Sequence, residues 1–293
     1  MSTELKKGLD YIVLNSDTHG NEHNETDIKR LRQNSIQVLS LTADYINQTP
    51  EVIAWLNAGD MDDTYCASRN CTKDGKLDIK KFLQGNAELY KAVNEAYKKC
   101  RLKPEQKIAV LGNHDIPMTF LQTVDNCTLI GADIAVIAKG YMQTTKGRFQ
   151  PKTQIAKAGR INDIPVIGAM NTFEAPASMP EQAMQEIYPH LILPHTEFYM
   201  HYPEFYAEEL KGKYYFLGHK GLIDKQDKHR KEEDAIHKIA ANSIASFEGH
   251  FHDACANNAG TTIRFRSGTD YVLIIGIEKE TGQPAHIIRK KII

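Results

Sequence analysis

Residues 11–60 read YIVLNSDTHGNEHNETDIKRLRQNSIQVLSLTADYINQTPEVIAWLNAGD. Tyr11 to Ser16 is a short apolar run that ends in polar residues, the pattern of a buried strand. Ile28, Leu31, Ile36, Leu39, Ala43 and Ile46 then recur every 3 or 4 residues, with one gap of 5. This spacing predicts a helix over 26–48 that Pro50 stops. Val52 to Ala58 is a second apolar strand. Strand, helix and strand in this order form a βαβ unit. The unit predicts an α/β fold with parallel neighbours and functional loops beyond the strand C-termini.

Outward from this unit the pattern continues. Ile79 to Lys99 has amphipathic helical spacing, and Lys107 to Leu111 is a third strand. In the second half, Ile134–Ala138, Pro165–Ala169, Tyr214–Leu217 and Ile244–Glu248 read as strands, with a helix over Glu232–Asn242. Thr262–Phe265, Tyr271–Ile277 and His286–Ile292 follow as strands, the last two joined by a turn at Thr281-Gly282. Residues 176–203 differ: Pro176, Pro180, Pro189, Pro194 and Pro203 interrupt regular structure there, among several aromatic residues. One domain over 1–293 is expected, with an ordered Pro/aromatic excursion at about 172–212 as a candidate lid.

Composition narrows the function classes. With 36 Lys+Arg against 37 Asp+Glu the net charge is −1, which disfavours a protein that coats nucleic acid. The 41% hydrophobic content disfavours a solvated disordered chain. No apolar run reaches the roughly 20 residues that span a bilayer. The N-terminus shows no signal-peptide apolar segment, and five cysteines cannot all pair within the chain. A cytoplasmic protein with free thiols, and no membrane partner, is expected.

Five of the strands end in chemically similar material. Asp17-Thr18-His19 follows the first, Gly59-Asp60-Met61-Asp62-Asp63 the second, and Gly112-Asn113-His114-Asp115 the third. Gly218-His219 follows the strand at 214–217, and Gly249-His250-Phe251-His252 the strand at 244–248. Carboxylate, imidazole and carboxamide groups thus gather at one edge of a sheet, a donor set suited to Mn, Fe, Zn or Ni. Each motif alone is weak evidence. Their conjunction, each just after a strand, is not.

The series D-x-H, G-D, G-N-H-[DE], G-H and G-H-x-H resembles the calcineurin-like metallophosphoesterase superfamily. The resemblance covers residues 17 to 252 and implies a two-sheet β-sandwich flanked by helices. It implies an enzyme, a phosphoric ester hydrolase with two divalent metal ions, manganese foremost and Fe, Zn or Ni as alternatives. By resemblance Asp17, His19 and His252 hold one ion, and Asn113, His219 and His250 hold the other. Asp60 bridges the two, as a carboxylate with two oxygens can. A hydroxide between the ions would be the nucleophile. His114 would protonate the leaving group or bind a phosphate oxygen, oriented by Asp63, with Asp62 and Asp115 as alternatives.

The sequence departs from the protein-phosphatase branch, which reads G-D-x-V-D-R-G and G-N-H-E. Thr64 stands in place of the arginine that clamps phosphate there; Arg69, Arg160 and Lys220 are substitutes the sequence does not rank. The expected substrate is a phosphomonoester or phosphodiester. The alternatives are a nuclease of the same superfamily acting on DNA or RNA, and a non-catalytic scaffold that retains the fold.

Overall fold

The computed structural model describes residues 4–18, 28–61, 79–112, 115, 123–129, 157–169, 211–219, 234–250, 255–259, 262–267 and 271–291. Among them lie twelve strands in two mixed sheets. The first sheet has the order β12-β11-β1-β2-β3-β4. Its strands are β1 (Leu9–Asn15), β2 (Val52–Asn57), β3 (Lys107–Ala109), β4 (Thr128–Leu129), β11 (Tyr271–Glu278) and β12 (Pro284–Lys291). The second has the order β5-β6-β7-β8-β10-β9. It comprises β5 (Lys157–Ile161), β6 (Ile164–Ala169), β7 (Tyr215–Gly218), β8 (Ala245–Glu248), β9 (Cys255–Ala259) and β10 (Thr262–Arg266). In each sheet a parallel core carries antiparallel strands: β1 to β4 are parallel and β11 and β12 are not, while β6, β7, β8 and β10 are parallel and β5 and β9 are not. The parallel arrangement expected from the βαβ pattern therefore holds within each sheet: antiparallel strands flank it on both sides in the second sheet and on one side in the first, where it runs to the edge at β4.

Local sequence explains these elements. Tyr11, Ile12, Val13 and Leu14 are all fully buried, as parallel strands covered on both faces require. The first helix, α1 (Ile28–Gln48), buries Val38, Leu39, Thr42, Ala43 and Ile46, a stripe at spacings of one and three. It ends where Pro50 cannot supply the next N–H. The second, α2 (Ile79–Lys99), buries Leu89, Tyr90, Val93, Ala96 and Tyr97 and carries Lys98 and Lys99 in its last turn, where the helix dipole favours cations. Tyr97 of α2 meets Trp55 of β2 edge-to-face at 4.8 Å, which seats the helix on the first sheet. A third helix, α3 (Asp234–Ala241), packs along β8.

The two sheets share one core. Leu14, Leu56 and Ile274 of the first belong to the same buried cluster as Tyr215, Leu217, Phe247 and Phe265 of the second. Phe247 and Phe265 stack at 5.6 Å within it. This is the expected two-sheet sandwich with helices, an α/β fold. Cys100, Cys127 and Cys255 are free thiols. Burial raises the pKa of Cys100 and pushes that of Cys127 up to about 12, so both stay protonated. Among the described residues no helix is long and apolar enough to cross a membrane.

Three strands escaped the sequence: β4, β5 and β9. The turn before β6 is Asn162-Asp163, with both residues at positive φ (47° and 65°), as a tight hairpin demands. The strand expected at Ile134–Ala138 and residues 172–210 of the excursion lie outside the described residues.

Candidate metal centre

Because β1, β2 and β3 are parallel neighbours, the segments that leave their C-termini must share one edge of the first sheet. The same holds for β7 and β8 in the second. Backbone hydrogen bonds fix the loops of the first sheet to one another: Asp17 N–H donates to Gly59 O at 2.9 Å, and Ala58 N–H to Asn15 O at 2.9 Å. In the second sheet Gly249 N–H donates to His219 O at 3.0 Å. The two edges then meet side chain to side chain. His219 Nε2 lies 3.0 Å from Asp60 Oδ2, and both residues are buried. The other ring nitrogen of His219, Nδ1, is 2.7 Å from Ala58 O. Donation from Nδ1 to that carbonyl aims Nε2 into the centre, the orientation a metal-ligating histidine needs.

Asp60, His219 and His250 offer ligand atoms that all lie within 4.8 Å of one another. The His219 and His250 rings stand edge-to-face with centroids 5.2 Å apart. Asp17 is fully buried beside them. Asp17, Asp60 and His250 adopt positive φ of 52°, 54° and 70°. Non-glycine residues rarely do so, and such strain collects where a side chain must be aimed. Two glycines supply clearance. A Cβ on Gly112 would overlap Asp60 Oδ1, and one on Gly249 would lie 2.9 Å from Asp17 Oδ2 and 3.0 Å from His219 Nδ1. Two imidazoles and a carboxylate in van der Waals reach of one point, with a second buried carboxylate adjacent, fit a divalent metal centre.

The electrostatics agree with that fit. Burial by itself would hold the His219 imidazole neutral, but the Asp60 carboxylate outweighs it, with help from Asp17 and the Ala58 carbonyl. The pKa of His219 rises to about 9 in the metal-free chain. A proton thus sits where a cation is favoured.

Of the sequence-expected ligands, Asp17, Asp60, His219 and His250 are brought together here. His19, Asn113 and His252, and the expected catalytic residues His114 and Asp63, lie outside the described residues, as do Asp62, Arg69 and Lys220. Arg160 is placed by the structure, and away from the centre. It pairs with Pro165 at the start of β6 and donates from Nε to Asp163 O at 3.0 Å. At about 3.3 Å per residue, the four steps from Pro165 to Ala169, which pairs with Gly218, put its backbone roughly 13 Å along the strand from the metal edge.

Three features near the site go beyond the sequence reading, which offered Asp115 only as an alternative partner for His114. Asp115 is fully buried, and its carboxylate accepts from the N–H groups of Gly112 and Asp60 (both 2.9 Å) and of Met61 (3.0 Å), and from Tyr90 Oη–H (3.3 Å). Ser16, next to Asp17, bonds Ser267 at the end of β10 at 2.8 Å, joining the sheets beside the site. Glu248, two residues before His250, forms a buried ion pair with Arg264 at 3.2 Å. Glu248 and Arg264 lie within strands, where sequence alone reads a carboxylate or guanidinium as surface.

No protein-family model and no curated protein matches the chain. Solved structures do. It is similar to the calcineurin-like phosphoesterase YfkN from Bacillus subtilis, at 17% identity over 97% of this chain and 91% of that one, with a TM-score of 0.46. It is similar to a dimetal phosphatase from Danio rerio, at 7% identity over 98% and 100% of the two chains and a TM-score of 0.47. A 5'-nucleotidase from Candida albicans matches at 15% identity and a TM-score of 0.46 over 98% of this chain, which spans 52% of the nucleotidase.

Proposed function

We propose that the chain is a calcineurin-like metallophosphoesterase that holds two divalent cations, manganese foremost, and hydrolyses a phosphomonoester or phosphodiester. The observation that carries this reading is the cluster of Asp60, His219 and His250, ligand atoms within 4.8 Å, at the strand ends where the motif series predicts it. Such cations, when bound, lower the pKa of a coordinated water and offset charge on phosphoryl oxygens.

The chain's own groups divide the remaining work. Asp60, with two carboxylate oxygens, serves both cations. Asp17, His19 and His252 complete one position, and Asn113, His219 and His250 the other. The neutral carbonyl of Asn113 leaves its cation more electrophilic than a carboxylate would. His114, adjacent to Asn113 in sequence, gives a proton to the leaving oxygen, with Asp63 orienting its ring. A net charge of −1 favours a small phosphoester over nucleic acid.

The test is reconstitution. Chelator-stripped protein given Mn²⁺ is expected to take up two ions and to hydrolyse p-nitrophenyl phosphate or its bis-ester. Cleavage of a DNA oligomer with neither ester turned over would replace the reading by a nuclease. Failure to bind manganese would replace it by a scaffold.

A further inference from the structure

On the proposed reading the loops after β2 and β3 serve the same cation through Asp60 and Asn113, and among the described residues no strand pairing joins these loops beyond Asn57 and Val110. One side chain bridges that gap. Asp115 Oδ2 accepts from Gly112 N–H on its own loop and from Asp60 N–H on the neighbouring loop, and Oδ1 accepts from Met61 N–H. Tyr90 of α2 adds a fourth donor from beneath.

We propose that Asp115 is a positioning residue that sets the distance between Asp60 and Asn113, and with it the affinity of the cation they share. The proposal rests on the metal-centre reading above. Three observations support it. Asp60 is held at φ 54°, a conformation that its own N–H bond to Asp115 restrains. Gly112 lies so close to Asp60 Oδ1 that a Cβ would overlap it, so the two loops have little room to slide. Three N–H groups converge on one buried side chain, and only a group with acceptors alone can receive them. The carboxylate therefore does what an amide of the same shape cannot: in asparagine, an NH₂ group would face at least one of these N–H donors.

A staple of loop structure alone would affect folding and leave the two cations alike. A positioning residue acts unequally, because Asn113 serves only one of them. The test is Asp115→Asn, titrated with Mn²⁺ by calorimetry and followed by electron paramagnetic resonance, with the melting temperature of the metal-free protein as the measure of folding. Wild type is expected to bind two ions and show an exchange-coupled pair spectrum. The variant is expected to hold one ion normally and to bind the second 10- to 100-fold more weakly, the usual effect of losing a group that orients a ligand, with an uncoupled six-line spectrum at intermediate manganese. Two ions at wild-type affinity with the coupled spectrum would overturn the proposal, whatever the melting temperature. Equal weakening of both ions would also overturn it. Wild type that binds no manganese would sink the metal-centre reading itself, and this proposal with it.

If the variant does not fold, amide hydrogen exchange on the wild-type chain decides. Slow exchange at Asp60, Met61 and Gly112, slowed further at Asp60 by the second equivalent of Zn²⁺, supports the clamp. Exchange at the rate of open loops overturns it.

Discussion

His219 Nε2 and Asp60 Oδ2 lie 3.0 Å apart with both residues buried, and they join the C-terminal edges of two separate sheets. In the metal-free chain this contact is an ion pair, because Asp60 keeps the imidazole protonated up to about pH 9. An unfolded imidazole loses its proton near 6.5. The folded value is the higher one, so the native state binds the proton more tightly. Its contribution to stability is present in full below about pH 6.5 and is lost as pH rises through about 9. Thermal melts in chelator at several pH values between these limits are expected to show falling stability for wild type. Asp60→Asn is expected to remove that slope. An unchanged slope in the variant would assign the titration to another group. Metal uptake near pH 8 should release this proton, since only neutral imidazole can ligate.

The roles of Asp60 and His114 separate by metal content. Asp60→Asn removes a charge and an anionic oxygen from the cluster and is expected to abolish both metal pairing and turnover. His114→Ala is expected to keep two ions per chain and to lose about 10²- to 10⁴-fold in rate, the range for removing a general acid. Elemental analysis of both proteins beside their rates makes the comparison. A His114→Ala protein that lost an ion would make His114 a ligand instead.

Gly249 tests how tightly the centre is built. A Cβ there would sit 2.8 Å from Ala58 O, 2.9 Å from Asp17 Oδ2 and 3.0 Å from His219 Nδ1. The first is backbone, and the other two belong to groups fixed by burial, so little can yield. Gly249→Ala is expected to cost about 1–3 kcal/mol in denaturant unfolding, as overpacking does, and to weaken metal binding as well. Gly8 provides the control for a methyl added where there is room: nothing lies within 4 Å of its would-be Cβ, so Gly8→Ala should leave metal binding intact and lose only what its φ of 86° costs an alanine.

Why Asp17, Asp60, His219 and His250 were legible, and Asp115 was not, follows from what each depends on. The four residues sit just beyond apolar runs whose spacing marks strands, so their place at a sheet edge is a local property. The meeting of β1–β3 with β7 and β8 is not local, and only the recurrence of the same chemistry after each strand hinted at it. The work of Asp115 is invisible because its partners are backbone N–H groups, which every residue carries. The missed strands follow the same logic. CANNA in β9 carries two asparagines and no large apolar residue, KAGRI in β5 carries a glycine and two cations, and each pairs with a stronger neighbour, β10 and β6. The helix α2 needed no such help, and its bounds coincide with those the spacing predicts, Ile79–Lys99.

Two ion pairs of similar length should differ widely in worth. Lys99 Nζ lies 2.7 Å from Asp44 Oδ1, but the side chains are 46% and 38% exposed, so water and salt screen them. Lys99→Met is expected to cost about 0–1 kcal/mol. Arg264 Nε and Glu248 Oε2 are 3.2 Å apart with each side chain only 3% exposed, and Glu248 also accepts from Ser246 Oγ. Arg264→Met would leave a carboxylate buried without its cation, at a cost of about 3–5 kcal/mol. Because Glu248 opens the turn that carries His250, the same change should also weaken manganese binding. Removing both charges, with Glu248→Leu added, is expected to recover part of the stability, since the penalty lies in the orphaned charge rather than in the lost pair. Urea unfolding of the three variants beside wild type supplies the comparison. If Arg264→Met cost no more than Lys99→Met, Glu248 would be compensated by other groups and the pair would not brace the turn.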